Sequence, residues 1–157
     1  MVNKINTRCD LMLFGALGDL AQRKLFPALY QLERANLLAD GSRVLAIART
    51  ENDTAGVRKQ LLEKLKQYVK PEEFDQKVAD AFLSRVDYQI LDFNDPDKFS
   101  VLNDWRDDAN NELIVYMATP PSMYGVIARN LRAAGCCTEQ TRVVVEKPIG
   151  HDLESSK

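Results

Sequence analysis

Leu11-Met12-Leu13-Phe14-Gly15-Ala16-Leu17-Gly18-Asp19-Leu20-Ala21-Gln22 is the stretch whose reading decides the fold. An apolar run of strand type ends in a short glycine turn, and a helical pattern follows through Glu33. A strand, a glycine turn and a helix in that order are how a Rossmann-type domain holds a pyrophosphate. The first glycine permits the tight turn and the second lets a phosphate approach the backbone. The helix start supplies free N–H groups and the positive end of its dipole. Ala21 stands where such loops often carry a third glycine, and it is small enough for close helix–strand packing. Gly15, Ala16, Leu17, Gly18, Asp19, Leu20, Ala21 and Gln22 are therefore candidate coenzyme-binding residues. A strand–helix turn that needs glycine only for its φ would read the same way.

Working outward, strand and helix patterns alternate. Predicted strands cover Cys9–Phe14, Arg43–Ala48, Val86–Leu91, Glu112–Met117 and Arg142–Glu146. The helical region Leu20–Leu38 contains Pro27, which should kink it or divide it in two. Asn52-Asp53-Thr54 offers an N-cap for a helix to about Val69, and Pro71 opens another to about Phe82. Asp95-Pro96 starts a helix through Trp105, and Pro120-Pro121-Ser122 starts one from Met123 to about Ala134. A last helix begins near Asp152 and stops within about one turn, as in one domain of a longer chain. Apolar strands separated by helices predict an α/β fold: a doubly wound parallel sheet of five or six strands in a three-layer α/β/α arrangement.

Composition narrows the function. The 157 residues suit one domain with a sizeable core. A net charge of −2 with both signs interspersed gives no electrostatic footprint for nucleic acid or an anionic membrane. Cys9, Cys136 and Cys137 match no zinc or redox spacing, so reduced thiols and a cytoplasmic protein are expected, with no metal site. Met1 to Arg8 is polar, without the form of a signal peptide, and no apolar run reaches the ~18 residues of a membrane span.

Other candidates sit at predicted strand ends. An NAD-preferring site carries Asp or Glu at the end of the second strand, but here Ala48 is followed by Arg49. A planar guanidinium suits a 2′-phosphate and stacks on adenine, which favours NADP; a solvated arginine is the alternative. Glu146-Lys147-Pro148-Ile149-Gly150 follows the fifth strand, where Lys147 can meet a hydroxyl or phosphate, or simply form a surface turn. Tyr116 to Tyr124 follows the fourth strand and can line the nicotinamide side of a cleft. Tyr124 is there as a coenzyme contact or as core packing. Asp92 and Phe93, after the third strand, can lie beside the adenosine.

Four of these segments in this order resemble the glucose-6-phosphate dehydrogenases: Phe14 through Ala21, Ala48-Arg49, Pro120 through Tyr124, and Glu146 through Gly150. The resemblance spans Asp10 to Asp152. It implies the N-terminal coenzyme domain of an enzyme that oxidises glucose 6-phosphate to 6-phosphogluconolactone with hydride transfer to NADP, the entry step of the pentose phosphate pathway. It implies that Arg49 binds the 2′-phosphate, that Lys147 touches both coenzyme and sugar phosphate, and that Pro148 shapes the coenzyme site. It also implies a homo-oligomer built through a second domain. The chain departs from the family's pattern at Leu17, where a small hydroxyl residue is frequent, and at Gln22, where a basic residue is common. The family's histidine base lies in an Asp-His-Tyr-type motif that does not occur here. The single histidine, His151, does not match it, so no catalytic residue is expected in this chain and residues 1–157 should be inactive alone.

Three other readings are weighed against this one. A short-chain reductase needs Tyr-x-x-x-Lys, and none of the tyrosines is followed by lysine at that spacing. A P-loop nucleotidase needs Gly-Lys-Ser/Thr at the end of its loop, which is also missing. A non-enzymatic nucleotide-sensing or interaction module on the same fold remains the alternative, because function lives in the site.

Overall fold

The computed structural model describes residues 9–39, 41–106, 112–136 and 141–145. Five strands form one sheet: β1 (Cys9–Phe14), β2 (Arg43–Ala48), β3 (Val86–Ile90), β4 (Glu112–Met117) and β5 (Arg142–Val145). Every pairing is parallel and the order is β3-β2-β1-β4-β5. β1 lies at the centre, with Leu13 in register with both Ala46 and Tyr116. Its apolar run is continuous because both faces are covered.

The helices α1 (Phe26–Arg34), α2 (Thr54–Tyr68) and α3 (Gln76–Leu83) cover one face. Phe26, Tyr30, Leu61, Leu65 and Phe82 pack there on Leu13, Ala46 and Tyr88. The helices α4 (Ser100–Trp105) and α5 (Tyr124–Ala133) cover the other. Leu102, Ile127 and Leu131 pack there on Met12, Phe14, Leu45 and Val115. Each fully buried large side chain contributes roughly 1.5–3 kcal/mol. The predicted three layers are thus present. On the edge strand β5, Val143, Val144 and Val145 remain exposed.

One helix start follows the sequence reading and one differs. The helical region is divided beside Pro27, which stands in the first turn of α1; Ala21–Leu25 before it is a π-helical segment, in which the Phe26 N–H reaches back to the Ala21 carbonyl. Proline lacks an N–H and its ring crowds the preceding turn, and a widened turn accommodates both. The helix expected from Pro71 begins only at Gln76. The Tyr30 hydroxyl donates to the Glu73 carbonyl at 2.9 Å and accepts from the Asp75 N–H at 2.8 Å, which pins residues 73–75 in a turn. Asp75 then caps α3, its carboxylate accepting from the Lys77 N–H at 2.8 Å.

Candidate coenzyme-binding site

The chain direction across the sheet reverses between β1 and β4, so their carboxyl ends part and leave a crevice. Gly15 closes β1 with φ at +79°, a left-handed conformation natural to glycine. A Cβ there would lie 2.4 Å from the Ala118 carbonyl oxygen. The N–H groups of Gly15 and Ala16 both donate to the Ile47 carbonyl, at 2.9 and 3.2 Å, anchoring the turn to β2. Gly18 is exposed, and a Cβ there would meet only the Gly15 carbonyl, at 3.3 Å. Gly15 therefore serves the turn's shape, and Gly18 keeps its outer face bare.

A cleft of about 330 Å³ opens over this turn, lined among others by Gly15, Leu17, Gly18, Arg49, Phe93 and Thr119. A second hollow of about 320 Å³ adjoins it and shares Arg49, Phe93, Thr119 and Pro120. Arg49 follows β2, is exposed, and pairs with no carboxylate among the described residues. Its loop is held from β3: the Tyr88 hydroxyl donates to the Thr50 carbonyl, and the Tyr88 N–H donates to the Thr54 hydroxyl at 3.1 Å. Burial pushes the Tyr88 phenol above its ordinary value, so it keeps the proton it donates. Phe93 is buried, packs edge-on to Phe14 at 5.4 Å, and is held through its carbonyl by the Asn130 amide at 2.9 Å.

The other candidates are placed differently. Ala16 and Ala21 are buried in the core beside the turn. The exposed Asp19 pairs with Arg23 at 3.5 Å, and Leu20 is half-buried. Gln22 is buried; its amide donates to the Leu17 carbonyl at 2.7 Å and accepts from Gln60 at 2.9 Å. It braces the glycine turn against α2. The exposed Asp92 carboxylate accepts from the Asn94 N–H at 3.0 Å, a local turn. Tyr124 packs against the second core cluster. Lys147 and Pro148, with Cys137, His151 and Asp152, lie outside the described residues.

Sequence reasoning did not single out Tyr88, Asn130 or Gln60, and it reached Thr119 only as part of the stretch Tyr116 to Tyr124. The described residues hold no cluster of three or more His, Cys, Asp or Glu placed for a metal ion. None of their helices is long and apolar enough to cross a membrane.

Residues 12–157 match the family model described as glucose-6-phosphate dehydrogenase, NAD binding domain. The chain belongs to the glucose-6-phosphate dehydrogenase family. It is 42% identical over 149 residues to the glucose-6-phosphate 1-dehydrogenase of Dickeya dadantii (strain 3937), covering 95% of this chain and 30% of that protein. It is 38% identical over 154 residues to that of Mycolicibacterium smegmatis, covering 95% and 31%. The crystal structure of the Mycobacterium avium glucose-6-phosphate 1-dehydrogenase superposes with a TM-score of 0.81 at 32% identity, over 97% of this chain and 32% of that one. A structure of glucose-6-phosphate dehydrogenase in complex with its substrate glucose-6-phosphate gives 0.76 at 29% identity, over 99% and 34%. The chain thus spans about a third of the length of the family members it matches, and what it matches is their dinucleotide-binding part.

Proposed function

We propose that this chain binds NADP⁺ as the coenzyme domain of an enzyme that oxidises glucose 6-phosphate to 6-phosphogluconolactone. The reading is carried by Arg49, a guanidinium without a carboxylate partner among the described residues, at the carboxyl end of β2 on the rim of the cleft. An NAD-preferring site carries a carboxylate at that place. Arginine there meets a 2′-phosphate in a charge-assisted, two-pronged geometry. The residues fit a dinucleotide: Gly18 puts no side chain in the way of the pyrophosphate, the Gly15 turn leaves room for it, and Phe93 offers an apolar wall beside Arg49. When bound, the nicotinamide supplies the acceptor for the hydride leaving the sugar's C1.

Lys147, two residues beyond the last residue of β5, binds the sugar phosphate and the coenzyme together, and Pro148 shapes the chain beside it. The whole residue span 1–157 is one domain, and a second domain supplies the base, the rest of the sugar site and a homo-oligomer interface. The enzyme works in the cytoplasm. Residues 1–157 alone give no glucose-6-phosphate-dependent NADPH formation, because a missing base is worth ~10²–10⁴ in rate.

Calorimetric titration of the chain with NADP⁺ and NAD⁺ tests the reading. Tighter binding of NADP⁺ is expected, and Arg49→Ala removes roughly 1.5–3 kcal/mol of it while leaving NAD⁺ binding unchanged. A folded chain that binds neither coenzyme overturns the reading in favour of a non-enzymatic interaction module.

A further inference from the structure

Thr119 carries a buried hydroxyl that has no hydrogen-bond partner among the described residues. It is also a wall of both hollows above the glycine turn. Buried polar side-chain atoms are nearly always paired in native proteins, so an orphan in the wall of a ligand cleft points to a partner that arrives from outside. The backbone around it is held in place. The Ala118 N–H donates to the Phe14 carbonyl at 2.9 Å. Pro120 follows, with φ at −57°, and a residue before proline is confined to extended conformations. Only rotation about χ1 remains.

The Thr119 methyl lies against the turn, with Cγ2 3.0 Å from where a Gly15 Cβ would sit. Rotating χ1 by one staggered step carries Oγ1 to the place the methyl holds, over Gly15, and turns the methyl to where the Cβ hydrogen pointed. No existing bond opposes that rotation, because the hydroxyl has none to lose.

We infer that Thr119 is a positioning residue for the coenzyme, its hydroxyl pairing with an oxygen of the dinucleotide where it crosses the Gly15 turn. The inference rests on the dinucleotide reading of the cleft and deepens it. Threonine rather than a plain aliphatic residue at this place tightens the bound state without a bond in the empty one.

The test uses Thr119→Val, which keeps the shape and removes the hydroxyl, and Thr119→Ser, which keeps the hydroxyl. Thermal melting of the coenzyme-free chain and calorimetric titration with NADP⁺ are measured for all three proteins. The Val variant is expected to melt at or above the parent temperature and to bind NADP⁺ about 2- to 10-fold more weakly, as for one neutral hydrogen bond. The Ser variant is expected to stay within about twofold of the parent affinity, a rescue that a purely structural role would not produce. A Val variant that binds like the parent overturns the inference and leaves the coenzyme reading standing. A Val variant that melts lower shows a hydroxyl already bonded in the empty protein and also overturns it. A folded parent chain that does not bind NADP⁺ removes both.

Discussion

The two ends of the same sheet are built on opposite terms. At the amino end, Asp10 is fully buried and faces two guanidinium groups, Arg106 at 3.2 Å and Arg43 at 3.6 Å. Arg43 stacks over the Trp105 ring at 4.3 Å, and the Trp105 N–H donates to Asp87 at 2.8 Å. Nearby, Arg85 holds Glu33 at 2.6 Å and donates to the carbonyls of Ala39 and Ser42. At the carboxyl end, among the described residues, Arg49 has no carboxylate partner and the Thr119 hydroxyl is unmatched, and Gly18 puts no side chain over the turn. Ion pairs made within the chain close one end, and at the other an exposed guanidinium and an unmatched hydroxyl line the cleft where a ligand can use them. Stability and recognition are thereby assigned to opposite ends of the strands.

Breaking the amino end should give the largest change in stability. Asp10→Ala strands the largely buried Arg106, and losing one partner of a buried pair costs about 3–5 kcal/mol. Urea unfolding should show a lower midpoint at an unchanged slope, with coenzyme affinity intact in the folded fraction. A parallel loss of coenzyme affinity would show that the two ends are coupled. Gly15→Ala comes next. A left-handed alanine costs roughly 1–2 kcal/mol before the contact with the Ala118 carbonyl is counted. Here both stability and coenzyme binding should fall together, in contrast to Asp10→Ala.

Alkaline pH probes each end with a smaller effect. Burial, and then the Glu112 carboxylate, push the Cys9 thiol above its ordinary 9.0 at the amino end. Burial pushes Tyr88 above its ordinary 10.0 at the other. Each group holds its proton more tightly folded than unfolded, so its contribution is full below the unfolded value and lost as pH rises through the folded one. Stability measured by urea titration should decline above about pH 9, with Cys9→Ser removing the earlier part and Tyr88→Phe the later. The smallest change in stability belongs to Arg49→Ala, within ±0.5 kcal/mol in a melting experiment, because the residue is exposed and has no ion pair among the described residues. A larger loss would mean that Arg49 helps hold the fold as well as the ligand.

The central strands β1 and β2 were legible because each is an apolar run buried on both faces, and β5 by its run of valines although that edge strand stays exposed. The cap of α2 was legible for a local reason: Asp53 accepts from the Gly56 N–H at 2.7 Å, three residues away. The start of α3 was not, since a hydroxyl on α1 decides where residues 73–75 stop turning. The same division runs through the site. Gly15, Gly18, Arg49 and Phe93 stand at strand ends, and topology brings strand ends together. Gln22 sits in the same motif, yet its amide is committed to Gln60 on α2, a contact between residues 38 apart. Thr119 lies within the stretch read as lining the cleft, but the bond its hydroxyl lacks is something no pattern of residue types displays.

The π-helical segment between the glycine turn and α1 acts as a phase adjuster. An α-helix turns about 100° per residue, and a π-bulge amounts to one residue of extra chain taken up without lengthening the ladder. The azimuth of the coenzyme turn relative to Phe26 and Tyr30 is therefore set within Ala21–Leu25. Deleting a single residue there would leave each half locally intact and rotate one against the other, so that either the core or the cleft would face the wrong way.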